Sequence, residues 1–302
     1  RQAHVRGGKQ PTGNLMTPKI SIIIVHWNVR ELLRQNLARL FSLREEIPFE
    51  VFVVDNASED GSTQMVRQEF PWVQLLINDW NAGFAVAMNQ ALRHARGEVL
   101  LALNPDMLVG EQTLARAWEA LMMHPNIGAV GVKLRAQDGS LVPSVRRDPS
   151  FADQLAILLK LPHLGMAKRA TDRYHATDMD YGLTQVVEQV RGSFLAVRRD
   201  VFRVVGPWDE RFFIWFEDVD YCRRVREAGY QVQYVADVSC QDAVGRSFAQ
   251  VSTARKQRLF TQSMARYFGK WHSAWQATIV WTFLPLTIVA GAMTDLFHSR
   301  RT

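Results

Sequence analysis

Cysteine is scarce. Cys222 and Cys240 are the only two in 302 residues, which excludes a disulfide-stapled scaffold and suits a reducing compartment. No Cys/His cluster has the spacing of a zinc site. Two phosphate-binding signatures are missing as well. No Gly-x-Gly-x-x-Gly follows an apolar run, so a dinucleotide-binding fold is unsupported. No Gly-x-x-x-x-Gly-Lys-Ser/Thr loop is present for P-loop phosphoryl transfer. Residues 1–18, with Gly7, Gly8, Pro11, Gly13 and Pro18 among polar neighbours, lack the apolar run of a signal peptide and read as a mobile tail. What remains is ordinary for a chain that buries a core. With 47% hydrophobic and 22% charged residues, it is not disordered, collagen-like or a coiled coil. The length allows one large domain or two modest ones.

The net charge of +6 is carried by the two ends. Residues 251–302 hold Arg255, Lys256, Arg258, Arg266, Lys270, Arg300 and Arg301 against a single acid, Asp295, and residues 1–19 are basic without any acid. The middle of the chain is therefore net acidic. A broad basic face for nucleic acid is not expected, whereas a basic segment against anionic lipid is.

Ile20–Val25 is a continuous β-branched run, the pattern of a strand buried on both faces. A helix over Arg30–Phe41 follows, and the alternation then recurs. Strands are expected over Val51–Val54, Val73–Ile77 and Val99–Leu103, with helices over Thr63–Phe70, Phe84–Ala95 and Thr113–His124. This predicts an open, mostly parallel α/β sheet, whose ligands sit beyond the carboxyl ends of the strands. Each strand empties there into a polar cluster: His26-Trp27-Asn28, Asp55-Asn56-Ala57-Ser58, Asn78-Asp79-Trp80-Asn81 and Asn104-Pro105-Asp106. Such residues also suit plain loops and caps, but four clusters in succession at one edge favour a binding site. Beyond residue 125 the alternation loosens. Residues 144–185 read as a variable loop or lid with one apolar patch at Leu155–Leu161, and Val186–Val197 as a strand interrupted at Gly192-Ser193.

Three positions carry candidate chemistry. Asp55 ends a strand, where its carboxylate can accept hydrogen bonds from a ribose or a base, or cap the turn toward Gly61. Pro105 fixes an extended turn that projects Asp106, and a lone carboxylate beside a diphosphate is a usual way to hold Mg²⁺ or Mn²⁺. Asn-Pro-Asp is equally a good plain turn. The third is Phe212–Arg224. Val219, Cys222 and Val225 recur every three residues and Gly229 supplies a stop, so a helix is expected over Asp218–Ala228 with Cys222 packed in the core. Glu217 and Asp218 are either helix-start acids or, behind five bulky apolar residues, a desolvated carboxylate pair supplying a general base.

Together, Ser21–Asn28, VVDNASEDGS (53–62), NAGFAVAMN (81–89), LNPD (103–106) and FIWFEDVDYCRR (213–224) resemble the family 2 glycosyltransferases, and among them the rhamnosyltransferase-type enzymes of polysaccharide and cell-wall assembly. The resemblance spans about residues 19–250. It implies a GT-A fold, a nucleotide-sugar donor, a divalent metal and inversion at the anomeric carbon. It also implies roles: Asp55 at the base or ribose, with Asn81 and Gly83 lining the donor pocket among the strand-end residues His26, Asn28, Asn56 and Asn104. Asp106 takes the metal position of an Asp-x-Asp motif written here as Asn-Pro-Asp. Asp218 becomes the base that deprotonates the acceptor, with Glu217 as orienter or second candidate. One departure stands out. The position at which members often carry a His falls on Gln241, leaving Asp242 or Arg246 to hold the metal or the phosphates. The expected donor is dTDP-L-rhamnose, with UDP-sugars next, and the expected acceptor a lipid-linked sugar or a polysaccharide selected by residues 140–190.

Residues 251–302 form a third segment. From Trp271 to Thr294 no Asp, Glu, Lys or Arg occurs, a length sufficient to span a bilayer, although Pro285 and Gly291 weaken a straight helix. Membrane association is expected, with a core or homodimer-interface helix as the alternative, and with it a place at the cytoplasmic face of the inner membrane. Two other functions stay open. A nucleotidyltransferase would need a Gly-rich basic loop after the first strand, where His26-Trp27-Asn28 stands; a catalytically silent sugar-nucleotide scaffold is suggested by Gln241.

Overall fold

A computed structural model of the chain describes residues 4–5, 17–161, 166, 168–242 and 250–299. Most of the 1–18 tail, Arg246, Arg300 and Arg301 lie outside the described residues. The first elements are β1 (His4–Val5), β2 (Ile20–His26), α1 (Arg30–Ser42), β3 (Phe49–Asp55), α2 (Ser62–Glu69), β4 (Gln74–Ile77), α3 (Phe84–Leu92) and β5 (Val99–Leu103). Next come β6 (Met107–Val109), α4 (Thr113–Met123), β7 (Ile127–Arg135), β8 (Leu141–Val142), β9 (Val145–Arg146), α5 (Phe151–Leu158) and α6 (Lys168–Tyr174). They are followed by β10 (Gln185–Val187), β11 (Gln189–Val190), β12 (Phe194–Arg198), α7 (Arg199–Val205), α8 (Glu217–Glu227) and β13 (Gln231–Asp242). Three helices close the chain: α9 (Thr253–Trp271), α10 (Ala274–Thr282) and α11 (Leu284–Ser299).

The β-branched runs do what their composition requires. β4, β3, β2 and β5 lie side by side, all parallel, and Ile22, Ile23 and Ile24 are wholly buried between helices on both faces. Each such side chain contributes about 1.5–3 kcal/mol relative to exposure. Parallel pairing puts the carboxyl ends of these strands at one edge, with His26 beside Asp55 and Asp55 beside Ile77 in register. The sheet then turns mixed. β12 pairs antiparallel with both β5 and β7, while β13 runs parallel to β7 and receives β6 and β10 antiparallel. The central sheet is thus α/β and mostly parallel, as expected, with an antiparallel strand inserted in its middle.

The second half holds more structure than its pattern announces. Residues 144–185 are not one long loop. α5 starts at a capping box between Ser150 and Asp153, Arg173 of α6 pairs with Asp153, and the Arg147 N–H donates to the Tyr174 carbonyl at 2.9 Å. Ion pairs and caps hold these short helices, so no long apolar period marks them. Residues 186–197 do not form one strand either. β10, β11 and β12 pair with β13, β9 and β5 respectively. Cys222 and Cys240 are buried in the core, and burial raises both thiols.

Within the C-terminal segment, Ala274–Leu296 covers 23 residues, long and apolar enough to cross a membrane; its most apolar 18-residue stretch has mean hydropathy 1.6 and is only 17% buried. A turn at Phe283 separates α10 from α11, with Pro285 in the first turn of the latter. α11 lies along α9: Thr261 and Thr287 share a hydrogen bond of 3.1 Å, and the Asp295 carboxylate accepts from the Thr253 and Ala254 N–H groups at 2.9 and 3.1 Å. That carboxylate also meets the positive end of the α9 dipole.

Candidate active site

The strand-end residues of the parallel half are tied to one another. His26 Nε2 stands 3.4 Å from Asp55 Oδ1, both side chains fully buried, and burial lowers the imidazole pKa while the Asp55 charge opposes the shift. Asp55 accepts from the Ser58 N–H at 3.0 Å and from the Thr63 hydroxyl, so it shapes the turn into α2. Asn28, at φ 51°, donates its N–H to Ser58 Oγ at 2.9 Å and accepts from the Glu59 N–H at 2.7 Å. Asn56 is buried, donating to the Gly83 carbonyl at 3.2 Å and accepting from the Asn78 amide at 2.8 Å. Asn81 accepts from the Gly83 N–H at 3.1 Å, an Asx turn. His26, Asp55 and Asn56 are thus buried at this strand edge, and Asn28, Asn81 and Asn104 are half-exposed there.

Asp106 sits in the turn between β5 and β6. Asn36 of α1 pins that turn, its amide donating to the Asn104 and Met107 carbonyls at 3.1 and 2.7 Å. The Asp106 carboxylate lines a small cleft with Gln35, Gln137 and Gln241, and register places Gln241 opposite Leu108. Asp242 is buried and pairs with Arg191 at 3.5 Å. Among the described residues no three His, Cys, Asp or Glu side chains gather as a metal cage. One carboxylate and a neighbouring carboxamide, both hard oxygen donors, fit a cation that keeps waters and takes phosphate oxygens.

The catalytic candidate is assembled differently. Trp215 and Phe216 both adopt left-handed backbone, φ 62° and 66°, immediately before α8. Bulky residues there store strain of order 1–3 kcal/mol each, which surrounding structure must offset. α9 supplies it: Ser263 Oγ donates to the Ile214 carbonyl at 2.8 Å, and Phe216 packs on Phe260 and Tyr267. Below them Asp220, wholly buried, meets Lys270 Nζ at 2.6 Å, Arg224 Nε at 2.9 Å and Trp271 Nε1 at 2.7 Å. Lys270 also reaches Asp209 at 2.9 Å; that carboxyl is held well below its ordinary range by Arg211 and by Lys270.

α8 is thereby aimed so that Asp218 Oδ2 accepts from the Gly192 N–H at 2.8 Å. A Cβ on Gly192 would stand 3.1 Å from that of Asp218, so a side chain there would press on the carboxylate's own Cβ. Glu217 is enclosed, and burial together with the Asp218 charge raises its carboxyl well above the usual range. Of the two acids, Asp218 is the less enclosed. The two halves of the site meet at Gly83. It has φ 85°, a Cβ there would lie 2.7 Å from the Phe213 carbonyl oxygen, and the Phe84 N–H donates to that oxygen at 2.7 Å.

Sequence reasoning missed Gly192, which reads as an interruption of a strand, and Ser263; Lys270 reads as basic flanking charge and Trp271 as an interface anchor beside a membrane segment. The available signal was Lys270-Trp271 closing an amphipathic helix directly ahead of the uncharged run.

The family model described as Glycosyl transferase family 2 matches residues 21–203, more than half of the chain. The chain belongs to glycosyl transferase family 2. It is a glycosyltransferase that uses a nucleotide-sugar donor. A relative named N-acetylglucosaminyl-diphospho-decaprenol L-rhamnosyltransferase, from Mycobacterium tuberculosis, is 31% identical over 283 residues, 88% of this chain and 90% of the relative. Two solved structures share the GT-A fold. The Pyrobaculum calidifontis mannosyltransferase PcManGT, in complex with GDP-Man and Mn²⁺, matches at TM-score 0.54 and 22% identity over 96% of this chain and 76% of its own. GalNAc-T7 with UDP, GalNAc and Mn²⁺ matches at TM-score 0.56 and 13% identity, over 83% of this chain and 50% of its own.

Proposed function

We propose that this family 2 enzyme is an inverting rhamnosyltransferase, moving L-rhamnose from dTDP-L-rhamnose to a hydroxyl of a diphospho-lipid-linked sugar in cell-wall or polysaccharide assembly. The observation that carries this reading is the 31% identity to the mycobacterial rhamnosyltransferase along nearly the whole of both chains. In this reading Asp218 takes the proton of the acceptor hydroxyl, and the freed oxygen attacks the anomeric carbon from the face opposite the diphosphate. The bond to the diphosphate breaks, the nucleoside diphosphate leaves with the electron pair, and configuration inverts. Glu217 positions the turn that presents Asp218. His26, Asn28, Asp55, Asn56, Asn81, Gly83 and Asn104 hold the donor. A divalent cation, Mg²⁺ or Mn²⁺, bound at Asp106, would offset the charge of the leaving diphosphate.

The catalytic unit runs over about 19–250. Residues 251–302 bring it to the cytoplasmic face of the inner membrane. Trp275, Trp281, Leu286, Val289, Met293 and Leu296 are exposed along α10 and α11, while Arg255, Lys256 and Arg258 lie on α9. Exposed apolar surface beside cations supports a lipid surface over a second copy of the chain. The test is incubation with dTDP-rhamnose, UDP-glucose, UDP-galactose and UDP-GlcNAc, with Mg²⁺, Mn²⁺ or EDTA, and a diphospho-lipid acceptor. Metal-dependent rhamnosylation with inverted anomeric configuration is expected. A UDP-sugar as the donor would replace rhamnose, and donor binding without release would favour the silent scaffold that Gln241 suggests.

A further inference from the structure

β9 and β11 form a two-stranded ribbon outside the main sheet, with Val145 opposite Val190 and Arg146 opposite Gln189. Just beyond it the Arg191 N–H donates to the Ser144 carbonyl at 2.9 Å. Alternation sends Val145 and Val190 into the core and puts Arg146 and Arg191 on the other face. That face borders Asp218, the proposed base, because Gly192, which follows Arg191, donates to its carboxylate. The Asp218 charge acts on both Arg146 and the buried Tyr174 phenol, which burial pushes up to about 12.

Arg146 is a half-buried guanidinium that forms no ion pair among the described residues; its hydrogen bonds go to the Pro143 and Val145 carbonyls at 3.1 and 2.7 Å. Burial lowers its pKa and the Arg191 charge adds to this, so an anion beside Arg146 would relieve it, with Arg191, already paired with Asp242 at 3.5 Å, at its flank. Arg146 also opens on a cleft of about 360 Å³, whose walls include Leu141, Pro143, Met179 and Tyr181. A cation at the edge of an apolar cleft, beside the acid, matches an amphiphile that carries a phosphate.

We propose that Arg146, with Arg191, binds the diphosphate of the acceptor, with the first part of its lipid chain in the adjoining cleft. This rests on the transferase reading above and assigns its acceptor side. The donor's own diphosphate is the other source of the same chemistry, and two acceptors separate them: N-acetylglucosamine joined through a diphosphate to a short prenyl chain, and the same sugar as an alkyl glycoside.

Steady-state kinetics on the full chain in detergent should show wild-type KM about tenfold or more lower for the diphosphate acceptor. Arg146→Met should raise that KM about tenfold and collapse the preference, with donor KM within about twofold of wild type. If Arg146→Met abolishes turnover altogether, Arg146→Lys carries the test, because it keeps the cation but loses the bidentate fork and should raise the same KM. A rise in donor KM with both acceptors would assign the guanidinium to the donor and overturn the proposal. An unchanged preference in both variants, or a wild type that serves the two acceptors equally, would overturn it as well while leaving the transferase reading standing. Wild-type protein that transfers to neither acceptor would overturn both.

Discussion

Along the parallel half of the sheet, each site side chain stands within a few residues of the strand that places it: His26 and Asn28 after β2, Asp55 and Asn56 at the end of β3, Asn81 after β4, and Asn104 and Asp106 after β5. Around Asp218 the contacts come from far away in sequence. Gly192 precedes β12, Gly83 backs the Phe213 carbonyl, and Ser263, Lys270 and Trp271 reach in from α9. The first arrangement is a by-product of parallel strands ending together. The second holds two bulky residues in left-handed backbone and therefore needs outside support. Donor binding and catalysis should be largely separable by mutation, with Gly83, against Phe213, and Asn104, whose N–H donates to the Ser193 carbonyl at 3.0 Å, as joints between them.

On the donor side, one substitution can break this division with a large effect. Asp106→Ala should weaken donor binding and lower turnover by roughly 10²–10³-fold, the scale of losing one preorganised electrostatic contact to a developing charge. Nucleoside diphosphate release, measured against metal concentration, checks it. Lys270→Met should act only on the other side. It leaves Asp220 buried with Arg224 and Trp271 but without its shortest ion pair, costing about 2 kcal/mol by urea unfolding and lowering kcat, with donor KM unchanged. Equal losses in donor KM and kcat would erase the distinction.

Gly83→Ala should sit between the two. Its Cβ meets the Phe213 backbone, so it should cost about 1–3 kcal/mol and damage donor affinity and kcat together, as parallel titration and kinetics would show. Smallest is the pH response of Glu217. Its folded pKa lies above the unfolded value of 4.5, so the folded state keeps a proton that the unfolded chain releases. Stability should therefore decline as pH rises above 4.5 toward the folded pKa, by at most about 1.4 kcal/mol per unit from this group. Urea unfolding from pH 4 to neutrality should show that decline in wild type and a flatter profile in Glu217→Gln.

The same contrast explains what was legible in the sequence. β2 to β5 and their helices follow from β-branched runs alternating with amphipathic stretches, and strand-end residues need only the direction of the strands. The helix over 217–227 likewise follows from its three-residue apolar repeat. α5 and α6 escaped because they rest on Asp153–Arg173 and a capping box rather than on a long apolar stripe. β7 escaped because Gly128, Ala129 and Gly131 dilute its pattern. The support under Asp218 was illegible in principle. Lys270 lies far along the chain from Asp220, and no local period reports a contact between them. The apolar run from Trp271 was read for the membrane, which hid the inward role of the helix before it.

The most direct test is Asp218→Asn beside wild type, with donor affinity measured by titration and nucleoside diphosphate release measured with acceptor present. Donor affinity should stay within about twofold and release should fall by about 10²–10⁴-fold, the worth of a positioned general base. Undiminished release would contradict that role, because the base would then lie elsewhere and the strained turn before α8 would be holding nothing that the reaction uses.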